Sequence, residues 1–306
     1  MNRLGVEQRT GILLLIAITF FWGVNWPAMK LAVAALPVWT FRSICLLVGG
    51  FGLLAIARLA RLPLRIPRGE LRPLLITAFF NITVWHVTSA AGLTQLAAGR
   101  AAILAFTMPL WATLIAMPLL GERLTLFRAL GLLVGLAGLV VLLLPDWANV
   151  VAQPLGVVYL LVAAFSWAVG TVCIKYFRWS MPATVLAGWQ ILLGGIPVML
   201  GMLIFDRGFD PWAVPAAAWI PVLYAAIIPM LFCQWAWFKI VATFPAQVAT
   251  IGTLAIPVIG VASSSLALGE PIGFDVVGAL LLEVAALALV LLRPPRPVEA
   301  VPGEPI

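Results

Sequence analysis

The chain has 306 residues, 64% of them hydrophobic and 9% charged, with a mean hydropathy of +1.14 and a formal net charge of +7. So few polar groups cannot coat a water-facing surface, which excludes an ordinary soluble domain and makes this a polytopic membrane protein. The positive charge collects on one side of the predicted spans, so it reflects topology and anionic headgroups and excludes nucleic acid as a partner.

A helix needs about 20 mostly apolar residues to cross a hydrocarbon core of roughly 30 Å. On that rule the sequence predicts ten helices, at 11–34, 36–59, 72–93, 98–120, 126–144, 155–177, 182–205, 217–239, 245–267 and 274–292. The opening segment has the ingredients of a cleavable signal: Arg3 and Arg9, an apolar run from Gly11, and Ala32-Val33-Ala34. Asn25 and Lys30 interrupt that pattern. The stretch TFFWGVNWPAMK at 19–30 also returns as AFSWAVGTVCIK at 164–175, where Phe165, Trp167, Val169 and Lys175 repeat Phe20, Trp22, Val24 and Lys30. The first segment is therefore read as a retained span. Asn25, Pro27 and Lys30 suit a cavity better than lipid, because each needs a polar partner or interrupts the backbone ladder.

Pro37 opens the second span, and Arg42 lies roughly 9 Å inside it at 1.5 Å per residue. At that depth it can snorkel to the headgroups or serve a cavity, and its counterpart in the second half is Gln190. Arg58, Arg61, Arg65, Arg68 and Arg72 crowd the next loop. The third span carries Asn81, Trp85 and the single histidine, His86, which either bonds between helices or couples a proton. Gln234 matches His86 in the second half.

The fourth span is centred on Met108-Pro109-Leu110 and ends in Gly121-Glu122; Ile256-Pro257-Val258 and Gly269-Glu270 repeat this 148 residues later. Each proline removes a backbone donor, from the carbonyls of Ala105 and Thr253, and predicts a kinked helix and a hinge near the bilayer midplane. Glu122 and Glu270 are expected to organise the short connections that follow.

Five helices per half is an odd number, so the halves, 11–144 and 155–292, must enter the membrane in opposite orientations. Further basic groups at 3–9, 123–128, 175–178, 239 and 293–296 fall on the side of the Arg-rich loop, against Lys30, Arg100 and Arg207 on the other. That bias predicts cytoplasmic N- and C-termini in a bacterial-type inner membrane. Residues 293–306 are proline-rich and aperiodic, and are expected to be a disordered cytoplasmic tail. Cys45, Cys173 and Cys233 lie within spans without disulfide spacing, one histidine cannot build a metal cluster, and no cofactor is expected.

Two tandem units, each with a Trp-bearing first helix, a mid-membrane proline and a terminal Gly-Glu, resemble the EamA branch of the drug/metabolite transporter superfamily. The resemblance implies an all-α fold of ten helices with a central cavity lined by spans 1 to 4 and 6 to 9, and with spans 5 and 10 to the side. Bacterial exporters of amino acids, including aromatic ones, are the closest likeness within it. Glu283, the one acid deep in a span, matches Gly135 and falls on a side helix. It is expected to pack against a neighbouring subunit or face lipid in protonated form.

Among 13 tryptophans, Trp39, Trp147, Trp179, Trp212, Trp219 and Trp237 sit at span ends or in loops, where interfacial belts account for them. Trp22, Trp85, Trp111 and Trp167 lie deeper and offer indole faces to a substrate, or else pack the core. With Asn25, His86, Met108, Thr171, Gln190 and Gln234 they form the expected substrate-binding set, with Pro109 and Pro257 as hinges. Neutral donors and aromatic surface without an available acid suit an amphipathic zwitterion such as an aromatic or hydrophobic amino acid. The expected function is export by alternating access, and the alternatives are a drug or organic-cation exporter and an intramembrane enzyme. No GxxxxGK[ST], HExxH or GxSxG motif occurs to support ATP use or hydrolysis.

Overall fold

The computed structural model describes residues 6–121, 126–144, 154–237 and 255–291, and all regular structure among them is helical. Helix is what lipid demands, since a segment without water must satisfy its own N–H and C=O groups. The elements are α1 (Val6–Ala35), α2 (Val38–Leu59), α3 (Leu71–Ala78), α4 (Trp85–Gln95), α5 (Ala98–Ala105), α6 (Met108–Leu120), α7 (Leu126–Leu143), α8 (Leu155–Tyr176), α9 (Ala183–Phe205), α10 (Trp219–Ile227), α11 (Ile256–Leu268) and α12 (Phe274–Leu291). π-helical segments, Phe79–Val84 and Ile228–Cys233, follow α3 and α10 without a break.

Among the described residues, seven helical stretches are long and apolar enough to cross a membrane, with Ala129–Leu143 and Ile256–Leu268 as shorter apolar helices. The expected span 245–267 begins outside the described residues, as do Glu122, Thr253 and the tail at 293–306. α1 runs unbroken through Pro27.

Small residues set how the helices pair. α2 packs along α9, α1 along α11, α4 along α8 and α7 along α12. A Cβ on Gly50 would come within 2.5 Å of Leu192, one on Gly188 within 2.7 Å of Leu54, and one on Gly23 within 2.5 Å of Ile259. Lipid gives helices no hydrophobic reason to associate, so close van der Waals approach across glycine has to supply it.

The repeated proline motif takes a form different from the expected kink. α5 stops at Ala105, Phe106 and Thr107 form a turn, and α6 restarts with Pro109 in its first turn. Leu110 and Trp111 both donate to the Thr107 carbonyl, at 2.9 and 3.3 Å. The helix is interrupted rather than bent, because proline is tolerated where a first-turn N–H would lack a partner anyway. α11 likewise begins one residue before Pro257. Both helices have 13 residues and end on a left-handed glycine, Gly121 and Gly269, each with φ of 67°. A side chain there would be strained, which explains the glycine before each glutamate.

Candidate functional site

At one end of the bundle, carboxylates and an ammonium hold helix termini. Asp206, just past α9, accepts the Thr40 N–H and hydroxyl, each at 2.7 Å, in the first turn of α2. Glu270, just past α11, accepts the N–H groups of Ala98 and Gly99 at 2.7 and 2.9 Å, where α5 begins. Lys30 donates to the carbonyls of Leu93 and Leu96 at 2.5 and 2.8 Å, at the end of α4. Arg100 pairs with Asp275 at 2.8 Å. Acid on an N-terminus and cation on a C-terminus is the arrangement that helix dipoles favour. At the opposite end Glu70 accepts both the N–H and the hydroxyl of Ser180, ahead of α9. The acid after α9 thus holds the start of α2, and an acid after α2 holds the approach to α9.

Between these ends lies a cluster of aromatic and neutral polar groups where α4 and the π segment before it meet α8. Trp85 and Trp167 meet with ring centroids 6.4 Å apart. The buried Asn81 amide reaches the Trp167 carbonyl and the Thr171 hydroxyl, both at 3.5 Å, and its Oδ1 has no partner. Gly170 makes room for it, since a Cβ there would fall 1.8 Å from Asn81 Oδ1. The π segments place Asn81 just before Trp85 and His86 in one half, and end just before Gln234 in the other. Such widened turns free backbone groups and re-aim the side chains that follow.

His86 is buried, with Nδ1 unpartnered, and its carbonyl accepts from Arg42 Nε at 2.8 Å. Arg42 is only 3% exposed and donates through Nη2 to Ser89 at 2.9 Å. It therefore turns inward to α4 and does not reach the headgroups. Gln190 is also buried with an unpartnered Nε2, but the register of α9 on α2, with Leu46 against Gly195 and Leu54 against Gly188, sets it roughly 15 Å along the helix from Arg42.

The remaining expected residues are spread out. Trp22 packs against Trp237 at 5.9 Å, and Trp111 meets Phe165 at 5.8 Å. Asn25 Oδ1 and Trp111 Nε1 are buried without partners, and Met108 packs on the main core. Gln234 is half-buried where the second π segment ends. Glu283 departs from expectation: it is 1% exposed, and its backbone N lies 3.6 Å from where a Cβ on Gly138 would be, so it is enclosed beside the α7–α12 contact and does not face lipid. A concavity of about 480 Å³ lies away from the aromatic cluster, between the α2–α3 loop at Arg65 and Arg68 and the segment Ser180 to Pro182.

Sequence reasoning missed Asn81 and Ser89 as site residues. Asn81 was visible as a polar residue in an apolar run, whereas serine is common enough at helix contacts to carry no signal.

The EamA-like transporter family matches the chain at residues 9–144 and again at 154–292. The chain belongs to the EamA-like transporter family. It is 29% identical over 288 residues to "Uncharacterized transporter YvbV" of Bacillus subtilis, covering 93% of this chain and 92% of that one. It is 24% identical to a "Probable amino-acid metabolite efflux pump" of Salmonella typhimurium, with 90% and 93% covered. A solved structure described as "Crystal structure of protein" shares the fold, with a TM-score of 0.65 at 22% identity over 91% of this chain and 97% of that one. This EamA-family chain is thus a multi-pass membrane transporter with a small-molecule substrate.

Proposed function

We propose that the protein exports amphipathic zwitterions, aromatic and hydrophobic amino acids above all, by alternating access as a secondary transporter of a bacterial-type inner membrane. The observation that carries this reading is the Trp85–Trp167 pair beside Asn81 and Thr171: indole faces and neutral hydrogen-bonding groups meet in the membrane interior with no carboxylate among them. Indoles hold an apolar side chain, and neutral dipoles with interrupted helix ends hold polar groups. The likeness to amino-acid metabolite efflux pumps supports the same substrate class.

Ten helices in two inverted units, 11–144 and 155–292, with both termini cytoplasmic, form the machine in this reading. The paired 13-residue helices α6 and α11 and the paired π segments support it. The turns ahead of Pro109 and Pro257 serve as hinges, and Trp22, Asn25, Trp111, Gln190 and Gln234 join the path on either side of the cluster. Expression in cells challenged with toxic aromatic amino acid analogues tests the reading. Tolerance should rise with the active protein and vanish in Trp85→Ala with Trp167→Ala; unchanged sensitivity at full expression would contradict it.

A further inference from the structure

Arg42 is the one deeply enclosed cation of the described bundle for which neither the fold nor the proposed path gives a reason. Its Nε and Nη2 bond to a carbonyl and a hydroxyl, and its Cζ lies 5.0 Å from the centre of the Phe41 ring. All of these partners are neutral. Among the described residues no carboxylate pairs with it, whereas Arg100 has Asp275. Guanidinium keeps its proton under any physiological condition. Burying it without a counter-charge leaves its desolvation uncompensated. Tying α2 to the His86 carbonyl and Ser89 needs only two donors, which a neutral amide supplies without that cost. The charge itself therefore calls for an anion, and Nη1 makes no hydrogen bond among the described residues.

We propose that Arg42 is the binding site for the carboxylate of the transported substrate. Guanidinium presents paired N–H donors in a plane that matches a carboxylate, which ammonium cannot do. Its position fits the ligand as well. Ser89, which Arg42 touches, lies four residues after Trp85, so the two share one face of α4 with Cβ atoms about 5–6 Å apart. Trp85 in turn meets Trp167. A carboxylate on Arg42 puts an aromatic side chain of the same molecule within one helical turn of that indole pair. The inference rests on the zwitterion reading and adds which protein group takes which end of the molecule. Arg42 also lies two residues inside the Thr40–Asp206 contact, so the carboxylate is held toward that end of the bundle.

The test uses the full-length protein in proteoliposomes and three probes: phenylalanine, phenylalaninamide, which lacks the carboxylate, and phenylpropionate, which lacks the amine. Competition for counterflow should favour phenylalanine over its amide by about tenfold or more in the unaltered protein, the scale of one charge-assisted contact. Arg42→Gln should bring the two within about twofold while leaving the affinity for the amide nearly unchanged, and Arg42→Lys should recover part of the preference. An undiminished preference in a folded Arg42→Gln protein overturns the proposal. If that variant does not fold, thermal stabilisation of the unaltered protein decides: phenylalanine and phenylpropionate should raise the melting temperature and the amide should not, and equal stabilisation by all three overturns it. Stabilisation by phenylpropionate, reduced in Arg42→Lys, without any amino acid exchange would uphold the anion site and contradict the amino-acid reading. Phenylalanine exchange without carboxylate preference would do the reverse.

Discussion

The Glu270 carboxylate caps the start of α5 by accepting the Ala98 N–H at 2.7 Å, joining residues 172 positions apart in sequence. A charged acceptor on an otherwise orphaned helix N–H contributes roughly 1–3 kcal/mol. Glu270→Ala should therefore lower the melting temperature in detergent by a few degrees, and Glu270→Gln should recover part of the loss. Thermal unfolding followed by tryptophan fluorescence checks it. An alanine variant as stable as the parent would mean that the cap contributes nothing.

Gly170 and Asn81 make a second pair with a direct consequence. Because a Cβ on Gly170 would fall 1.8 Å from Asn81 Oδ1, Gly170→Ala must push the amide away from the Trp167 carbonyl and Thr171. Transport should fall several-fold while the protein still inserts and folds. Gly170→Ala with Asn81→Ala should recover stability but not transport, and wild-type uptake by the single variant would detach Asn81 from the path.

That pair also shows where sequence reasoning stops. The repeat was legible as Trp22 and Trp167, yet its mismatch of Asn25 against Gly170 had no visible cause, since the glycine answers a side chain 89 residues away. Helix positions were legible because apolar run length is set by the bilayer. The proline breaks were only half legible: Pro109 announced a lost hydrogen bond, but whether the chain bends or restarts depends on the turn at Phe106 and Thr107. Arg42 stood out by depth alone. Its inward direction depends on α4 offering the His86 carbonyl and Ser89, which no local pattern encodes.

Topology gives a further prediction. If the two halves are inverted, reporter fusions after Arg65 and after Asp146 should report opposite sides of the membrane, the first cytoplasmic. The same side at both positions would contradict the inverted arrangement.

The helix start at both prolines predicts a kinetic phenotype. Pro109→Ala and Pro257→Ala each restore a backbone donor, and Pro109→Ala allows α5 and α6 to run on as one continuous helix. Each should slow turnover more than it weakens substrate binding, and the double variant most of all. Unchanged transport by the double variant would remove the hinge.

The central claim is the substrate class, and counterflow in proteoliposomes addresses it most directly. Purified protein loaded with unlabelled phenylalanine should accumulate labelled phenylalanine, tryptophan, methionine and leucine, but not sugars or organic cations. Trp22→Ala and Trp167→Ala should reduce exchange of bulky side chains more than small ones, and Gln234→Ala should reduce all of them. Exchange of sugars or organic cations, with no uptake of any of the four amino acids, would contradict the account.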